Sequence, residues 1–191
     1  MKLKKINAAL GLLSVAAILT HMGYIVFGYL TYYYNPAMMK WTSVPPMVIM
    51  CMHAVCGMLT IFLQADGTRM DLYPGQNLRT ILQRVSAALI LPLLILHIKT
   101  FSLLESTAAA GQWVWFSLLM VSQPLFYGTA LTHIAVSLTR GFITLGWLSS
   151  DKTRKNMDLA VYIICAVIFA AAVFVVLRTE LSMFLPGGGT V

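Results

Sequence analysis

The sequence predicts an all-α fold: an integral membrane bundle of five transmembrane helices forming one domain. Three observations predict it. The 191 residues are 59% hydrophobic and only 10% charged, against about 25% charged residues in an ordinary soluble domain. Apolar runs close to the ~20 residues needed to cross a bilayer recur at about 6–30, 42–63, 85–104, 113–138 and 159–181. The connections between them are short, which leaves no room for a soluble catalytic domain, a nucleotide-binding fold or a phosphate loop. Any chemistry must take place inside the bundle or on partners.

Each span has its own pattern. The first begins MKLKKINAALGLLSVAA, a basic start that resembles a signal peptide. Its apolar run continues unbroken through Leu30, longer than a signal core requires, so it reads as a span. Gly11, Ser14, His21 and Gly28, at spacings of 3, 7 and 7, share one face of it. On the second span Pro46, His53, Gly57, Thr60 and Gln64 do the same. The third holds His97 above Ile90, Leu93 and Leu94, with Gln83 and Ser86 towards one end and a kink expected at Pro92. On the fourth, Ser122, Phe126, Thr129, His133, Ser137 and Arg140 fall at spacings of 4, 3, 4, 4 and 3. The fifth has Ala170 to Ala172 and no polar stripe, and is expected to pack against the outside of a four-helix core. Stripes of Gly, Ser and Thr leave space for a flat cofactor, but they also let bare helices approach closely.

Basic residues orient the chain, because they concentrate on the cytoplasmic side. The N-terminus, second loop and fourth loop share one side and carry ten: Lys2, Lys4, Lys5, Arg69, Arg79, Arg84, Arg140, Lys152, Arg154 and Lys155. The other side has three, Lys40, Lys99 and Arg178, so the N-terminus is expected in the cytoplasm. The net charge of +7 then reports topology and contact with anionic lipid or an acidic partner surface, with no need for nucleic acid. The three cysteines, Cys51, Cys56 and Cys165, form no CxxC pair. Cys51, His53 and Cys56 point in different directions around one helix, which does not suit tetrahedral zinc, and the cysteines read as small hydrophobes.

The four histidines, His21, His53, His97 and His133, fall one each in the first four spans. Ionisable groups at membrane depth are costly and usually functional, and imidazole is an adaptable metal ligand. An even number on separate helices suits bis-histidine haem iron, and two haems would use all four. At about 1.5 Å per residue, His133 lies roughly 10 Å from Arg140, His53 roughly 16 Å from Gln64, and both His97 from Arg84 and His21 from Asn7 roughly 20 Å. Depth therefore favours His53 with His133 nearer the cytoplasm and His21 with His97 nearer the outside.

In these features the chain resembles the five-helix, di-haem cytochrome b subunit of succinate:quinone oxidoreductases, the family of succinate dehydrogenases and fumarate reductases. The resemblance rests on HAVCGM around the second histidine and LQRVSAALILPLLILH leading into the third. It rests also on the fourth-span histidine, which is followed by the loop GFITLGWLSSDKTRKN and a plain last span. It covers nearly the whole chain and implies the same histidine pairing, with two haems b inside a four-helix core. It further implies a flavoprotein and an iron–sulfur protein docked on the cytoplasmic face of a bacterial cytoplasmic membrane, and a bound quinone, in di-haem members usually menaquinone. Some fumarate reductases of this type carry a glutamate two residues before the fourth histidine; here that position is Leu131, which puts the associated proton route in doubt.

On this reading electrons pass between the iron–sulfur partner, the inner haem, the outer haem and a quinone near the outer surface. Gln83, Arg84 and Arg140 are candidates to bind the inner haem's propionates, which need cationic or hydrogen-bonding partners. Lys99 and Glu105 are candidates for the quinone site, Glu105 for proton exchange and Lys99 for stabilising negative charge. Tyr24, Lys40 and Trp41 are weaker candidates that also read as interfacial anchors. Two other classes stay open: the di-haem cytochrome b of another dehydrogenase or a hydrogenase, and a small histidine-containing transporter. The first commonly places two ligands on one helix, and the second should show inverted repeats or matched broken helices.

Overall fold

The computed structural model describes residues 2–64 and 74–184. Arg69 and the rest of the second loop lie outside the described residues. Five helices follow in order: α1 (Lys2–Thr31), α2 (Pro36–Gln64), α3 (Pro74–Ala109), α4 (Trp113–Leu145) and α5 (Asp151–Phe184). Each is long and apolar enough to cross a membrane. The helices run past the apolar stretches that predict them. Arg79, Gln83 and Arg84 are good helix formers, so α3 continues through its polar end instead of stopping where hydrophobicity stops.

Large apolar side chains point outward, as on Trp115 (62% exposed), Val121 (64%) and Val167 (63%). Apolar surface on this scale marks a molecule whose surroundings are lipid. Inside, two clusters hold the bundle. Leu131, Ile134 and Ala135 of α4 meet Val161 and Cys165 of α5, with Val15 of α1 packed against them. Leu104 of α3 meets Phe116 and Met120 of α4 at the opposite end, with Leu177 of α5 alongside.

The helices pack as two pairs, α1 with α2 and α3 with α4, joined mainly where α1 meets α4. The fifth helix packs onto the arrangement formed by the first four. It seats against α4 and, less extensively, against α1, burying Val161, Cys165, Ala172, Val175, Val176 and Glu180. The helix with the fewest packed neighbours is α2, whose close packing among the described residues is with α1. An all-round apolar helix carries no mark of its neighbour. Neither α2 with α4 nor α1 with α3 forms a closely packed pair, and His53 of α2 faces His133 of α4 across the first of these separations.

The connections are closed by local hydrogen bonds. Asn35 Oδ1 accepts the backbone N–H groups of Ala37 (3.0 Å) and Met38 (3.2 Å), capping α2 ahead of Pro36. The Tyr24 hydroxyl reaches across from α1 to bond both the Asn35 N–H (2.9 Å) and its carbonyl (3.0 Å). At the end of α4, Gly146 takes φ 83°, and the N–H groups of Gly146 and Trp147 return to Ile143 and Phe142 at 3.0 Å. This is a Schellman closure, which requires the left-handed conformation glycine adopts without a Cβ penalty.

Candidate cofactor site between paired histidines

His53 projects from α2 towards α4 and His133 from α4 towards α2, with ring centroids 6.3 Å apart. His53 Nδ1 lies 3.1 Å from the Asn7 carbonyl of α1. His133 Nδ1 lies 3.1 Å from both the Gln83 carbonyl and the Ser86 hydroxyl of α3. A carbonyl can only accept, so each Nδ1 carries the proton and each Nε2 keeps its lone pair. Anchoring one ring nitrogen on a carbonyl to present the other is how metal-binding histidines are oriented. The Ser86 hydroxyl donates in turn to the Leu82 carbonyl at 2.6 Å. Gly11 makes the approach of His53 to α1 possible: a Cβ there would stand 3.1 Å from His53 Cε1.

Polar groups gather one to two turns towards the end of the bundle where α1 begins. The Arg140 guanidinium donates to Thr80 Oγ1 and Gln83 Oε1, both at 3.0 Å. Gln83 thus serves twice, its carbonyl on His133 and its side chain on Arg140. Arg84 is half-buried on the same turn of α3. Beside them Arg79 forms a two-pronged pair with Asp158 of α5, both contacts 2.8 Å, and its Nε donates to the Val136 carbonyl at 2.8 Å.

The second pair lies towards the other end. His21 and His97 are close enough for charge on one to act on the other. His97 Nδ1 meets Gln123 Oε1 at 2.7 Å, and Gln123 donates from Nε2 to Thr100 Oγ1 at 2.7 Å. With the amide nitrogen committed to Thr100, Oε1 faces the histidine and Nδ1 is the protonated nitrogen. The His97 ring stacks on Phe126, centroids 4.7 Å apart and planes at 23°, with the Tyr127 edge against it at 5.8 Å. His21 Nδ1 is buried without a partner, an unsatisfied polar atom in the half of the bundle where His97 is held ready.

Among the described residues no three His, Cys, Asp or Glu side chains surround one point, and the bundle instead supplies a facing pair of imidazoles, His53 and His133. Two imidazoles on opposite sides of one metal, at metal–nitrogen distances of about 2.0–2.1 Å, have ring centroids roughly 6 Å apart. The His53–His133 spacing fits that requirement, and the residues present fit a bis-histidine macrocycle at the inner pair.

The other candidates are dispersed. Lys99 and Glu105 are exposed on α3. Lys40 and Trp41 face outward, Trp41 at 75% exposure, and Tyr24 is engaged in the α1–α2 turn. Four residues that motif reading passes over have places in the interior: Asn7, Gln123, Tyr127 and Glu180. Gln123 had a signal, since it is a lone amide in the apolar run SLLMVSQPLFY. Asn7 contributes only its carbonyl to His53, which no side-chain pattern reports.

Fold and site together define a multi-pass membrane bundle with intramembrane histidines presented in pairs. No protein-family model, no curated protein and no solved structure matches the chain.

Proposed function

We propose that this chain is the membrane-anchor cytochrome b subunit of a succinate dehydrogenase or fumarate reductase, seated in a bacterial cytoplasmic membrane with its N-terminus inside. The observation that carries the reading is the His53–His133 pair: two imidazoles 6.3 Å apart on helices that do not pack together, each with Nδ1 held by a carbonyl oxygen. A haem b held between two histidines supplies one-electron transfer and has no open iron position for oxygen chemistry.

The chain's own residues hold and insulate. His53 and His133 are the inner ligands and His21 and His97 the outer ones. Asn7, Gln83 and Ser86 fix the inner rings, and Gln123 and Phe126 fix His97. Gln83 and Arg140, bonded to each other, offer a donor and a positive charge for haem propionates, with Arg84 on the adjacent turn. Lys99 and Glu105 stand at the outer end, where quinone, most simply menaquinone, would exchange electrons and protons. The dicarboxylate reaction belongs to a flavoprotein, linked through an iron–sulfur subunit docked on the basic cytoplasmic face, where Lys152, Arg154 and Lys155 are exposed.

The test is isolation from native membranes in mild detergent, followed by measurement of haem, covalent flavin and non-haem iron against chain. The expected result is two haems b per chain with both partner subunits present. A stable homo-oligomer lacking haem and both partners would refute the proposal.

A further inference from the structure

Glu180 is the unusual residue in the outer half of the bundle. It stands about one turn before the end of α5, is 4% exposed, and its Oε2 is buried with no hydrogen-bond partner. A carboxyl sealed among apolar helices is costly and is retained where it has work to do. The Tyr29 hydroxyl of α1 is set against this carboxyl, and Tyr127 of α4 lies within reach of its charge. The Tyr127 hydroxyl donates to Gln123 Oε1 at 3.4 Å, the same oxygen that receives His97. Polar groups therefore run from the carboxyl to the outer histidine pair.

We infer that Glu180, acting through Tyr29, is the proton-exchange group for the quinone at the outer end of the bundle. This rests on the reading of the chain as a quinone-linked cytochrome and replaces Glu105 as its proton carrier. Both Glu105 and Lys99 are exposed on α3, whereas Glu180 is buried. On α5 itself Arg178 is exposed and the Thr179 hydroxyl is turned to the Val175 carbonyl. The titratable groups facing Glu180 are thus Tyr29 from α1 and Tyr127 from α4.

Because the carboxyl is sealed, exchange passes through Tyr29, a half-buried residue in the last turn of α1 whose hydroxyl is hydrogen-bonded to the carboxyl. In quinol oxidation two O–H bonds break. The two electrons leave one at a time towards the cytoplasmic partner, and each proton goes to the Glu180 carboxylate and then to outer water. In quinone reduction the Glu180 acid gives its proton to a quinone oxygen and is reloaded from outer water, once for each of two electrons arriving from inside.

The test uses the intact complex carrying Glu180→Gln, which keeps size and hydrogen bonding but cannot carry the proton. The wild-type haem spectrum, recorded first, tests the underlying reading separately. The expected result is a loss of quinone turnover of roughly 10²-fold, the scale of a general acid–base contribution. Haem content and dye-linked activity of the partner subunits should be retained. A carboxylic C=O band that appears in the infrared difference spectrum on quinone reduction should vanish. Turnover at the wild-type rate with both haems present overturns the assignment, as does a loss produced by Glu105→Gln and not by Glu180→Gln. Should Glu180→Gln also shed haem, Tyr29→Phe decides: slowed turnover with haem retained supports the relay, and unchanged turnover overturns it.

Discussion

His53 is held on two sides, by a carbonyl bonded to its Nδ1 and by a glycine under its ring. Asn7 supplies the carbonyl at 3.1 Å and Gly11 the clearance, so both constraints come from one face of α1. Gly11→Val should push the ring out of register. Overpacking of this kind costs about 1–3 kcal/mol, and it should appear as weaker retention of the inner haem through purification, with the outer haem kept. At the outer pair Gln123→Leu removes the acceptor of His97. Loss of such a supporting hydrogen bond typically weakens metal binding about 10–100-fold, and the expected result is selective depletion of the outer haem in reduced-minus-oxidised spectra. The ligand candidates were legible in sequence because histidine is scarce and falls once per span. Their supports were only partly so. Gln83 and Ser86 stand out as polar residues near a span end, whereas Gln123, Tyr127 and Glu180 gain meaning only when α1, α3, α4 and α5 are brought together.

Among the elements, α4 is the hub. It packs on α3 and α5 and meets α1, and it carries His133, Gln123 and Arg140. Near its C-terminal end the Arg79–Asp158 pair ties α3 to α5 while Arg79 Nε holds the Val136 carbonyl of α4. Both side chains are 20% exposed, so the pair is screened in part and its weight lies in geometry. Arg79→Ala should cost about 1.5–3 kcal/mol, the range for hydrogen bonds to charged groups, measured as earlier thermal unfolding in detergent. A double-mutant cycle with Asp158→Asn should show strong coupling; independent effects would mean the clamp carries little. The five spans and their order were readable because membrane-crossing length and hydropathy are local properties. The seating of α5 was not, because its uniform apolar surface fits several neighbours equally well, and the decisive contacts are volumes filled by Leu131, Val161 and Cys165.

For the whole molecule, the charge distribution predicts an orientation. Ten of the thirteen basic residues fall on the side of the N-terminus; with that side in the cytoplasm, as proposed, the His53–His133 pair lies nearer the cytoplasm and Glu180 nearer the outside. Cysteines introduced at Ala110 and Ser150, both exposed, check this directly. Ala110→Cys should react with an impermeant thiol reagent from outside intact cells, and Ser150→Cys only after permeabilisation; the reverse pattern would invert the molecule. On the proposed function the four histidines hold two haems in the pairs His53/His133 and His21/His97. The most direct test is the reduced-minus-oxidised spectrum of each of the four His→Ala variants, compared with the wild type. His53→Ala and His133→Ala should deplete one and the same b-type component, while His21→Ala and His97→Ala deplete the other. A wild-type chain without haem would contradict it, as would spectra in which the loss of His21 and the loss of His53 remove the same component.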